Sequence, residues 1–153
     1  MGIIATAAID LWATFSSKVL RIPRTNWAMV GRWIGHFPNG TFVHHPISAS
    51  PAIGNELLLG WVFHYLVGIA YAAIYFVLVF LVLGNTPGPL SAWGFGLVTI
   101  VSPWFIMQPC LGLGILAANA PQPNLVRFQN IVIHSIFGIA LYFGWVAFDI
   151  YAR

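Results

Sequence analysis

Asp10, His64, Gln108 and His134 are polar residues that each fall in or at a different apolar run of this chain. Two imidazoles with a carboxylate suit zinc, iron or manganese. Two histidines on facing helices would instead clamp a haem, since bundle cores commonly hold cofactors. A quinone-type ligand or a proton path would use the same side chains. Ionisable groups in lipid cost from a few to over ten kcal/mol, so they normally face a bundle interior and mark function. Glu56 precedes His64 by eight residues, on a similar helical face, and is placed to line the way in. Asn130 precedes His134 by one turn on the same stripe.

A second group lies in "GRWIGHFPNGTFVHHP", residues 31–46, which gathers His36, His44 and His45 beside Arg32. Their types are open to metal, phosphate or proton chemistry, or to contact with lipid headgroups at a membrane surface. They are read here as covering the mouth of the intramembrane site. Arg32 is read as the partner of a lipid phosphate or a carboxylate, with Glu56 as a candidate mate. Asp149 and Arg153, four apart at a helix end, are read as a surface pair.

The elements that must position these residues follow from composition. The chain has 153 residues, 59% hydrophobic and only 6% charged. Soluble domains carry roughly 25% charged residues, so this surface belongs in a bilayer. Six basic and three acidic side chains give a net charge of +3, too little for a nucleic-acid footprint. The single cysteine, Cys110, excludes an internal disulfide and any cysteine-rich metal site. Without a long linker or repeat, residues 1–153 read as a single four-helix transmembrane domain.

A spanning helix needs about 20 apolar residues. Leu57 to Gly84 is the clearest such run, followed by Ala92 to Ala118 and Ile131 to Ile150. Pro103 and Pro109 interrupt the Ala92 run and predict a kink there. The first run, "GIIATAAIDLWATF", spans only if it continues to Leu20 with Lys18 reaching the interface. It has no basic residues ahead of it and contains Asp10, which argues against a cleaved signal peptide. Between the first two spans, Thr25 or Asn26 can cap a short interfacial helix carrying Trp27, Val30, Trp33, Ile34 and Phe37. Lys18, Arg21, Arg24, Arg32 and Arg127 fall in two alternate loops, so both loops are expected in the cytoplasm and both chain ends outside.

This orientation sets depths. His64 lies roughly 12 Å from the cytoplasmic end of its span, His134 roughly 15 Å, Asp10 roughly 12 Å and Gln108 roughly 16 Å at 1.5 Å per residue. One polar group per helix at one level predicts a cytoplasm-facing site.

The stretches "NWAMVGRWIGH", "GTFVHHPI", "NELLLGWVFHYLVGIAYA", "MQPCLGLGILAANAPQP" and "HSIFGIALY" together resemble a bacterial integral membrane family catalogued as domain of unknown function 2938. The resemblance implies a multi-pass protein of the bacterial inner membrane and brings no reaction with it. Three functions fit the residues. The first is a ligand-binding membrane protein holding a transition metal, haem or quinone at His64, His134 and Asp10, with Glu56 and Gln108 beside them. The second is an accessory or structural subunit whose partners are lipid and other membrane chains, or further copies of itself. The third is a small transporter or proton-coupled carrier. No nucleophilic triad, phosphate loop or H-E-x-x-H pair points to an enzyme class.

Overall fold

The computed structural model describes residues 1–152, and every regular element among them is helical. Arg153, the expected mate of Asp149, lies outside the described residues. Helix α1 is Gly2–Val19 and α2 is Trp27–Gly35. Three longer helices follow: α3, Glu56–Val82; α4, Pro89–Cys110; and α5, Pro123–Ala152. By length and composition, α3, α4 and α5 can each cross a membrane.

Local chemistry accounts for the boundaries. The Asn26 side chain accepts from the Ala28 and Met29 amides, so the cap of α2 is Asn26 rather than Thr25. Pro89 stands in the first turn of α4, where its missing N–H would have had no intrahelical partner. At Pro103 the regular ladder gives way to a π-helical turn, Pro103–Met107, because proline lacks a donor and crowds the preceding turn. Helix α4 then stops at Cys110 and does not run on to Ala118, as the apolar run suggests. Gly112, Gly114, Leu116 and Ala117 all take positive φ, which a continuing right-handed α-helix does not accommodate.

Two compact units are built from these elements. The first contains residues 1–24, 65–99 and the chain from 131 onward. Its core is Ala5, Ala72, Tyr75, Val79, Ala92, Phe137 and Leu141. Helix α4 meets α5 at Gly96 and Gly138, where a Cβ on Gly96 would fall 2.8 Å from the Gly138 Cα and overlap the His134 carbonyl oxygen. Helix α1 meets α3 with similar closeness, the Thr6 side chain lying where a Cβ on Gly68 would go. The second unit contains residues 25–64 and 100–130. Its core is Val30, Trp33, Ile47 and Leu111. Here α2 buries Val30, Gly31 and Trp33 and packs on the first turns of α3. A Cβ on Gly31 would overlap the Glu56 carbonyl oxygen and lie 2.7 Å from the Gly60 nitrogen. The expected interfacial helix is thus one wall of a protein core.

Small residues at such crossings let membrane helices touch backbone to backbone. Gly138→Val should therefore destabilise the protein by about 1–3 kcal/mol or more through overpacking. Gly94, with open space where a Cβ would go, should accept alanine with no loss. Unfolding of both variants in mild detergent, followed by circular dichroism, checks the contrast.

Candidate functional site

In the first unit, Asp10 and His134 each meet a neighbouring hydroxyl. The Tyr65 hydroxyl donates to Asp10 Oδ2 at 2.9 Å. Thr99 Oγ1 donates to the Gly96 carbonyl at 2.6 Å and lies 2.8 Å from His134 Nδ1. A hydroxyl has one proton, so with Thr99 bound to Gly96 the His134 Nδ1–H must be the donor to Oγ1. The Gly96–Gly138 crossing makes this contact short, since Thr99 lies one turn beyond Gly96 and His134 one turn before Gly138.

The second unit holds the remaining candidates. His64 stacks on Trp27, ring centroids 3.9 Å apart and planes 29° from parallel, with Trp61 edge-on at 5.7 Å. Gly60 makes this stack reachable: it lets the Trp27 carbonyl press against α3 one turn from His64. Gln108 Nε2 donates to Asn130 Oδ1 at 3.0 Å, and the Trp104 indole donates to the same oxygen at 3.3 Å. An indole can only donate, so it fixes which end of the Asn130 amide faces it. That in turn turns the Gln108 amide nitrogen toward Asn130. Gln108 Oε1 is left buried without a hydrogen-bond partner, on a side chain only 3% exposed.

Arg32 and Glu56 form a two-pronged pair, Nε to Oε2 at 2.9 Å and Nη2 to Oε1 at 3.0 Å. The Arg32 Nη1 group also donates to the Ser50 carbonyl at 3.1 Å. Glu56 Oε2 receives the Ile53 amide as well, at 3.4 Å. One guanidinium thereby ties α2, the start of α3 and the chain between them. Its hydrogen bonds to Glu56 hold Arg32 above its ordinary pKa, with burial opposing.

The loop histidines divide. His36 Nε2 lies 3.0 Å from the Pro51 carbonyl, which can only accept, so Nε2 carries the proton. His44 is buried, with Nδ1 2.7 Å from Ser50 Oγ and its amide donating to the Cys110 carbonyl at 2.8 Å. The His36 and His44 rings are 5.1 Å apart. His45 is exposed.

Among the described residues, no three His, Cys, Asp or Glu side chains are grouped so as to hold a metal ion. Asp10 and His134 belong to the first unit, and His64, Glu56, Gln108 and Asn130 to the second. The partners that sequence reasoning missed are Tyr65, Thr99, Trp27 and Trp104. Only Trp27 carried a signal, through the Gly60 and His64 stripe that a second helix had to meet. Arg32→Lys should keep the charge but lose the fork and the Ser50 contact, lowering the melting temperature in detergent. Arg32→Ala should lower it further, because Glu56 is then left without its counter-charge.

The chain belongs to the family described as "Protein of unknown function (DUF2938)", whose profile matches residues 1–147. No curated protein and no solved structure matches it.

Proposed function

We propose that this member of the family is a four-span protein of the bacterial inner membrane that acts as an accessory or structural subunit among other membrane helices. The observation that carries this reading is how little of the long helices their own chain covers. Only 22%, 28% and 22% of the apolar windows of α3, α4 and α5 are buried. Leu66, Leu81, Phe105 and Phe143 are among the large apolar side chains left outward. Lipid or a neighbouring helix must cover such a surface.

The hydrogen bonds of Asp10 and His134 support the same reading. Interhelical polar contacts of this kind average about 0.6 kcal/mol in membranes and serve mainly to fix helix register. Helix α1 joins the membrane set as the fourth span in this proposal. Its 18 residues reach about 27 Å. It packs on α3, carries outward Ile3, Ile4, Leu11 and Phe15, and has Asp10 covered by Tyr65. The basic residues support an orientation with residues 20–55 and the α4–α5 connection in the cytoplasm and both ends outside.

Crosslinking in native membranes followed by mass spectrometry tests the assignment. Stable heteromeric or homomeric adducts through α3, α4 or α5 are expected. A chain that stays monomeric and uncrosslinked overturns the subunit reading. Alkaline phosphatase fused after residue 153 should be active, and a fusion after residue 40 inactive.

A ligand-binding reading is favoured by one further observation, the bare Gln108 Oε1. The locked amide relay presents an acceptor, so it would select a molecule offering a hydroxyl or N–H, such as a quinol, over an anion. Mass spectrometry of organic extracts from gently purified protein should then find a near-stoichiometric compound that Gln108→Leu loses. An extract without one rejects this second reading.

A further inference from the structure

Residues 41–50 run as a strap across the end of α4. The His44 and Ile47 amides donate to the Cys110 and Leu111 carbonyls at 2.8 and 3.1 Å. The Gly112 backbone lies so close beneath that a Cβ there would sit 2.7 Å from the His44 carbonyl oxygen and 3.0 Å from the Pro46 Cα. Trp33 Nε1 holds the strap on its other side through the Phe42 carbonyl, at 2.7 Å. Ile47 plugs into the core of the second unit.

At the middle of this strap His44 is only 6% exposed, and its Nε2 has no hydrogen-bond partner. The charged and titratable groups around it are almost all cationic or neutral. Helix α2 contributes His36, with its ring 5.1 Å away, and Arg32, which is bound to the carbonyl of the same Ser50 whose hydroxyl meets His44. The strap itself adds His45, and the end of α4 adds the Cys110 thiol. The one carboxylate is Glu56 at the start of α3, and both its oxygens already receive Arg32, with the Ile53 amide on one of them. A proton on His44 would therefore create a buried cation beside other cations, with no unengaged carboxylate to meet it.

We propose that residues 41–50 form an acid-released latch over the end of α4, with the buried, neutral His44 ring as its trigger. Burial, and next the charge on His36, lower the His44 pKa below its ordinary 6.5, the Thr41 carbonyl opposing in part. The open strap returns the ring to water and binds the proton more readily than the closed one. The contribution of His44 to closure is therefore complete above about pH 6.5 and declines as pH falls toward the lowered value. Release exposes the Cys110–Gly112 turn and the apolar face that Ile47 covers. Because the loop containing the strap is cytoplasmic in the proposed orientation, the signal read would be cytoplasmic acidification. The latch itself does not depend on that orientation.

Hydrogen exchange by mass spectrometry on the full chain in detergent tests this. Protection of residues 41–50, corrected for intrinsic exchange, should fall between pH 7.5 and 5.0 by up to tenfold per pH unit, the limit for one proton. Residues 27–35 of α2 should keep their protection over the same range. His44→Asn, which retains a partner for Ser50 but does not titrate, should flatten the profile. His36→Gln, which removes a ring whose charge opposes a proton on His44 and leaves His44 in place, should shrink the acid-induced loss. It decides the matter if His44→Asn does not fold. Acid-independent protection in the wild type overturns the proposal, as does loss shared equally by residues 27–35. An undiminished acid response in a folded His44→Asn, or in His36→Gln, does so too.

Discussion

Backbone touching backbone at helix crossings is the constraint on which the other contacts rest. Where Gly96 meets Gly138, and where Gly31 meets Glu56 and Gly60, there is no room for a single added carbon. Such closeness brings short polar side chains on one helix within reach of the next. Thr99 is the clear case: a hydroxyl on a one-carbon stem reaches His134 only because the two helices nearly touch. In a bilayer this matters more than in water, since a polar group that misses its partner has no solvent to turn to. The crossings supply close packing, and close packing makes the hydrogen bonds possible.

The second unit applies the same economy to a stretch that composition alone would leave at the membrane surface. The chain between α1 and α3 folds around Val30, Trp33 and Ile47, and Arg32 joins its parts through one planar group. Lysine has the charge but not the fork, so the identity of the residue matters as much as its sign. The histidines take opposite roles in this setting. His36 keeps one nitrogen on a carbonyl near the surface, while His44 is enclosed and helps hold a strap. The polar side chains of both units mostly bind one another. Gln108 Oε1 and His44 Nε2 are buried atoms that depart from that pattern, and they are the places where chemistry beyond packing is proposed.

Much of the architecture could be read from residue order. Apolar runs marked the long helices to within a few residues at Glu56–Val82, and the N-cap of α2 was narrowed to two neighbours. Arg32 and Glu56 could be named as mates because they are almost the only opposite charges in that part of the chain. The end of α4 was harder. Residues 111–118 are as apolar as a helix, and only the backbone shows that four of them adopt positive φ. Apolarity records burial in lipid or protein and says little about backbone conformation within the run.

What the sequence determined by itself was position along each helix, because a fixed rise of about 1.5 Å per residue turns residue number into height. What only the tertiary structure decided was direction around each helix. A helix that is apolar on all sides has no hydrophobic stripe to say which face turns inward. Asp10 could therefore be given a height but not Tyr65 as its donor, and His134 a height but not Thr99. Those partners come from segments 55 and 35 residues away in the chain. Packing of one backbone against another chose them, and the pattern within a single helix carries no record of it.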